Sequence, residues 1–103
     1  MYEMLVGFPP FYDKNPFQIY EKIIDGRVNY PKDFNPLAKD LIRKLLCVDR
    51  TKRFGNMKNG ANDIKNHEWF KKVNWKYVEE KKLKVYLIIN NFCVDYNYIF
   101  SRQ

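Results

Sequence analysis

His67 is the only histidine in this chain, and that restricts the chemistry at once. A histidine-based triad or a multi-histidine metal site has little to work with. The run Asn66-His67-Glu68-Trp69-Phe70 places the ring on a helix, where it is expected half-buried rather than ligating. No carboxylate pair stands out for acid–base work. A Walker P-loop, GxGxxG, HExxH, GxSxG and paired cysteines are absent from the sequence. The one cation in a marked position is Arg53, within Asp49-Arg50-Thr51-Lys52-Arg53-Phe54-Gly55. An arginine between two apolar helical segments, just ahead of an aromatic and a glycine, is suited to a buried or half-buried ion pair. The sequence offers it no dedicated carboxylate.

The elements that must position these residues are helical. Asn35-Pro36 is a start signal, an asparagine cap followed by proline at the first helical position. Leu37, Leu41, Ile42, Leu45 and Leu46 then recur at helix spacing, to about Cys47-Val48. Asn15-Pro16 repeats the signal, with Phe17, Tyr20, Ile23 and Ile24 on one apolar face and Gly26 as the stop. Arg27 to Pro31 reads as extended. Asn56 to Asn62 is polar and reads as loop. Asn62 or Asp63 is expected to cap a further helix running to Trp69-Phe70. Met1 to Val6 looks like the end of a helix closed by Gly7, already in mid-pattern, which predicts truncation. Phe8-Pro9-Pro10-Phe11-Tyr12 is a rigid aromatic loop, either packed on a core edge or exposed to a partner. Glu79 to Lys84 is charged and expected exposed. From Val85 the pattern turns β-prone and sticky through Phe92, and Tyr96, Tyr98, Ile99 and Phe100 continue it.

The 103 residues suffice for one small domain. The formal charge of +7 favours anionic partners. Its lysines are nonetheless spread along the chain, as on solvated helix faces. Eight Tyr and eight Phe are more rings than so small a core needs, so some are expected to face surfaces outside this chain. Cys47 and Cys93 form no framework, which points to a reducing compartment. No signal peptide is expected at Met1. The stretch from Val85 to Val94 is far short of the ~20 residues a membrane span needs.

Taken together, several blocks resemble the C-terminal end of a protein kinase large lobe. They are Tyr2-Glu3-Met4, Gly7-Phe8-Pro9-Pro10-Phe11, Ile19-Tyr20-Glu21-Lys22-Ile23, Asp40-Leu41-Ile42-Arg43-Lys44-Leu45-Leu46, Asp49 to Gly55, and Asn66 to Phe70. The run Gly55-Asn56-Met57-Lys58-Asn59-Gly60-Ala61-Asn62-Asp63-Ile64-Lys65 is more specific. It is similar to the AGC group of serine/threonine kinases, in particular the cyclic-AMP-dependent catalytic subunits and their X/Y-linked relatives. The resemblance covers residues 1–84, an incomplete kinase domain. It implies a mainly α fold, the helical subdomain of the large lobe, followed by a divergent tail at 85–103, disordered or poorly packed. That tail resembles read-through into an intron or an alternative final exon.

The resemblance also implies roles. Glu3 matches a glutamate that receives an arginine of a basic substrate. Phe8 and Tyr12 match aromatics that hold a hydrophobic side chain of the heat-stable inhibitor. Tyr20 matches a tyrosine at the regulatory-subunit interface. Arg53 matches the arginine that pairs with the glutamate of the Ala-Pro-Glu motif, a structural ion pair whose partner is not in this sequence. ATP and magnesium are implied for the full-length kinase only. The Gly-rich loop, the strand lysine, the catalytic loop and the Asp-Phe-Gly site have no counterpart among these residues, so no phosphoryl transfer is expected from this chain. The compartment expected is the cytoplasm or nucleus. Two other readings are a docking-only remnant and a small basic nucleic-acid-binding module. The last requires a clustered basic face and steep salt dependence; no nucleic-acid partner is expected.

Overall fold

In the computed structural model, residues 1–82, 86–89 and 92–95 are described. Asparagine sets the start of three helices. Asn15 precedes α2 (Pro16–Asp25) and accepts from the Phe17 N–H. Asn35 precedes α3 (Pro36–Leu45) and accepts from both Leu37 and Ala38. Asn74 precedes α5 (Trp75–Glu79) and accepts from Tyr77. Such a cap satisfies N–H groups that have no partner within the helix. The shorter α1 (Tyr2–Val6) and α4 (Ala61–Lys65) lack a side-chain cap. A 3-10 turn, Glu68–Phe70, follows α4. The strands β1 (Tyr86–Ile89) and β2 (Phe92–Asp95) pair antiparallel, Tyr86 opposite Asp95 and Ile89 opposite Phe92. The described residues are therefore mainly α and fall into two units that divide after Lys72.

The core of the first unit gathers on α3. Ala38, Leu41 and Ile42 are buried, at the three- and four-residue spacing that puts them on one face. Tyr2 is buried as well, and its ring meets Phe8 edge-on, Tyr30 edge-on and Phe34 in a stack, with centroids 6.0–6.3 Å apart. Its hydroxyl donates to the Asn29 carbonyl. This ring cluster ties α1 to the segment between α2 and α3.

The apolar face expected on α2 exists but is not buried. Phe17 and Ile24 are 75% and 76% exposed, and Met4 on α1 is 84% exposed. Each such side chain forgoes roughly 1.5–3 kcal/mol that full burial contributes.

Three boundaries differ from the sequence expectation. α3 stops at Leu45, ahead of Cys47-Val48, because the Lys44 carbonyl, which a further turn would need for the Val48 N–H, accepts instead from the Phe54 N–H (3.0 Å), and Arg53 Nε holds the Cys47 carbonyl beyond it (2.8 Å). The helix expected from Asn62 or Asp63 to Phe70 is two pieces. Gly60, at φ +53°, precedes Ala61, and the first piece ends at Asn66. His67 then takes an extended backbone and becomes the cap of the second piece, its Nδ1 accepting from the Trp69 N–H at 3.0 Å. His67 is thus a buried capping ring, not a half-buried one on a helix face. α5 was not anticipated from the sequence. The change of character after Lys84 and the run Tyr96–Phe100 lie outside the described residues; within them, the β-prone stretch is a strand at Tyr86–Ile89.

Candidate docking surface

Glu3 sits in α1, exposed, and its backbone carbonyl accepts from the Gly7 N–H (2.8 Å). Gly7 adopts φ +103°, which closes α1 and turns the chain into Phe8-Pro9-Pro10-Phe11-Tyr12. The Tyr12 N–H donates back to the Pro9 carbonyl (3.3 Å), so the loop is a turn with fixed ends. α2 braces it from the other side. Lys22 Nζ donates to the Tyr12 carbonyl at 2.7 Å and pairs with Asp13 at 3.1 Å. Asp13 also accepts from the Asn15 N–H at 2.9 Å. The Asn15 N–H and, after it, the Lys22 ammonium hold the Asp13 carboxyl below the usual carboxylate range.

On this braced loop Phe8 and Tyr12 remain about half exposed, at 51% and 55%. They line one cleft of about 410 Å³ with Pro9, Pro10, Lys22 and Arg27. The aromatic loop is therefore packed at one end and half exposed, with Phe8 against Tyr2 and both Phe8 and Tyr12 open to solvent. The planes of Phe8 and Tyr2 meet at 70°, centroids 6.3 Å apart. Glu3 is not among the residues lining that cleft, and Tyr20, 62% exposed, stands apart on α2.

Arg53 lies elsewhere. Its Nε and Nη2 donate to the carbonyls of Cys47 (2.8 Å) and Val48 (3.4 Å), and among the described residues no carboxylate faces it. It borders an apolar cleft of about 270 Å³ with Phe11, Ile23, Leu45 and Leu46. Thus the structure brings Phe8 and Tyr12 together, and places Glu3, Tyr20 and Arg53 at separate points.

Sequence reasoning missed the polar hub behind α3. Asp40 Oδ2 accepts from Lys44 Nζ at 2.7 Å and from His67 Nε2 at 2.6 Å. Because His67 Nδ1 is already an acceptor, Nε2 carries the proton and donates. The Lys44 ammonium, and then the His67 N–H, hold the Asp40 carboxyl below its ordinary value. The spacing of Asp40 and Lys44, four apart on a helix, was the available signal; His67 arrives from 27 residues away and gave none. This hub fastens the Glu68–Phe70 turn to α3 and is structural. Among the described residues no group of three or more His, Cys, Asp or Glu could hold a metal ion. No helix among them is long and apolar enough to cross a membrane.

No family model matches the chain. It is similar to cAMP-dependent protein kinase catalytic subunit 3 of Drosophila melanogaster, 63% identical over 84 residues, covering 82% of this chain and 14% of that protein. The human cAMP-dependent protein kinase catalytic subunit PRKX is 58% identical over 84 residues, 82% of this chain and 24% of that one. A cAMP-dependent protein kinase, catalytic subunit-like, of Caenorhabditis briggsae is 48% identical over 94 residues, 91% of this chain and 24% of that one. The chain spans between 14% and 24% of the length of these relatives.

Proposed function

This chain is a homologue of the cAMP-dependent protein kinase catalytic subunits, matching a helical segment of their large lobe, and on that premise we propose that it is the protein-docking part of such a kinase. In the full-length enzyme the segment would serve ATP-dependent phosphorylation of serine or threonine in basic proteins. By itself it docks and does not transfer phosphate. The observation that carries this reading is the braced aromatic loop. Its backbone is held by Gly7 and Lys22 while Phe8 and Tyr12 stay exposed over one cleft. Rings held in place but left uncovered offer a partner contact area at low ordering cost.

The roles divide by chemistry. The exposed Glu3 carboxylate suits a guanidinium of a basic substrate, which it can accept in a bidentate manner. Phe8 and Tyr12 suit an apolar side chain of the substrate or inhibitor. Tyr20, on the uncovered face of α2, suits the regulatory subunit. Arg53 has donors left over after its two carbonyls, as expected of a residue whose carboxylate partner belongs to the activation segment. The residues present do not fit an ATP–magnesium complex: the sequence has no Gly-rich phosphate loop, and the described carboxylates do not converge. No step is assigned through it. The compartment that fits a sequence with two cysteines and no paired-cysteine motif is the cytoplasm or nucleus.

Two assays test the reading. Incubated with ATP, magnesium and a basic serine peptide, the chain is expected to give no phosphopeptide; turnover by pure protein would refute the docking-only assignment. Calorimetric titration with a cAMP-dependent kinase regulatory subunit is expected to show binding that weakens about thirtyfold in Tyr20→Ala, the ~2 kcal/mol of an aromatic hot spot. Equal affinity of wild type and variant would count against the assigned surface.

A further inference from the structure

Asn59-Gly60 is the one Asn-Gly pair in the sequence, and it leads directly into α4. Asn59 is exposed. Gly60 stands at φ +53°, and a Cβ built on it would meet nothing within 4 Å. Neither a side chain of its own nor a packed neighbour covers that glycine. Its N–H donates to the Met57 carbonyl at 2.9 Å, and the Asn59 carbonyl accepts from the Asn62 N–H at 3.1 Å. Both bonds join near neighbours in a surface turn, the kind that opens at low free energy. The Asn59 side chain is loosely held, its Nδ2 reaching Asp63 Oδ1 over a long 3.4 Å. Other asparagines differ on one count or the other. Asn15 and Asn35 cap helices and precede prolines, which have no N–H. Asn74 is a cap as well, and Asn56 Nδ2 holds the Arg50 carbonyl at 2.8 Å. Asn59 alone joins a loosely held amide to a following glycine nitrogen.

We propose that Asn59 is a site of spontaneous modification, closing on the Gly60 nitrogen to a succinimide that water opens to aspartate and isoaspartate. When the turn opens, the Gly60 nitrogen gives its proton to water or hydroxide and attacks the Asn59 Cγ. The new N–Cγ bond forms, the Cγ–Nδ2 bond breaks, and Nδ2 leaves as ammonia with a proton taken from water. One water then adds to the imide. Opening at Cγ gives aspartate; opening at the backbone carbonyl carbon gives isoaspartate, with the chain running through the former side chain. Nothing is oxidised or reduced. Either product turns the Asn59–Asp63 contact from donor against acceptor into carboxylate against carboxylate. Asp63 lies in the first turn of α4, a five-residue helix without a side-chain cap, so that helix is where the change is felt. The site is separate from the aromatic loop and does not depend on the docking reading.

The test incubates the full 103-residue chain in mildly alkaline buffer at physiological temperature, beside a synthetic peptide of residues 57–64, with peptide mapping by mass spectrometry at intervals. Asn59 should lose its amide within about a hundredfold of the free-peptide rate, an opening cost under about 2.8 kcal/mol. It should do so ahead of the chain's other asparagines. Both aspartate and isoaspartate should form, at a rate that rises with hydroxide concentration. Asn59→Gln, which must close a larger and slower-forming ring, should lose the modification. In amide NMR, Asn59→Asp should move the signals of α4, and Asp63→Asn in that background should return them toward the starting positions. Slower loss than that bound, earlier conversion of another asparagine, or aspartate as the sole product would overturn the proposal. Signals of α4 that ignore Asn59→Asp would overturn the assigned consequence.

Discussion

Gly26→Ala is the substitution whose cost is best separated into causes. Gly26 closes α2 at φ +70°, its N–H donating to the Lys22 carbonyl. A Cβ at that position would lie 2.2 Å from Val48 Cγ2, well inside van der Waals contact. Two penalties follow. An L-residue in the left-handed region costs about 1–2 kcal/mol. Overpacking adds about 1–3 kcal/mol, toward the lower end because Val48 is 58% exposed and has room to shift. The sum is about 2–4 kcal/mol, against the ~5–15 kcal/mol total stability of an ordinary small domain. Val48→Ala removes the offending methyl, so in that background Gly26→Ala should cost only the backbone share, about 1–2 kcal/mol. Urea denaturation of the four proteins of this cycle, followed by circular dichroism, reads the coupling directly. Additive costs would show that Val48 does not sit against Gly26, and the packing of the α2 terminus on the Val48 turn would be refuted.

Further outcomes follow from named contacts. Asp40 is held below its ordinary value in the folded chain by Lys44 and His67, so the stability it contributes is present above the usual carboxylate range near pH ~4 and is lost as pH falls through its lower folded value. Lys44→Met should flatten that acid limb in a series of urea midpoints against pH; an unchanged limb would remove Asp40 from the account. Asn35 caps two N–H groups and Asn15 one, so Asn35→Ala should cost more than the ~1 kcal/mol typical of a lost cap and Asn15→Ala no more than that, read by thermal melts. Leu41 is fully buried, and Leu41→Ala should cost about 2–5 kcal/mol; a loss below ~1 kcal/mol in urea denaturation would mean α3 does not form the core.

What was legible in the sequence was local. Asn15-Pro16, Asn35-Pro36, Gly7 and Gly26 each specify a helix end through one residue's own chemistry, and each stands where the sequence put it. The aromatic loop was legible for the same reason, since two prolines leave few conformations. What was not legible depended on distant partners. His67 turns from a helix-face ring into a buried cap because Asp40 receives its N–H from another helix. The split between α4 and the Glu68–Phe70 turn follows from that capture. The Lys22 brace on Tyr12 and Asp13 joins residues nine and ten apart that no helical or strand period relates. The exposed face of α2 was visible as a pattern, but pattern alone cannot say whether a face is buried within its own chain.

The docking account is tested most directly by fluorescence anisotropy of a labelled peptide carrying arginine and one apolar anchor, titrated with this chain. The expected result is saturable binding, weakened about tenfold by Glu3→Gln through loss of a charge-assisted pair and comparably by joint replacement of Phe8 and Tyr12 with alanine. Binding that is equally tight in all three proteins, or that ignores replacement of the peptide arginine, would contradict it.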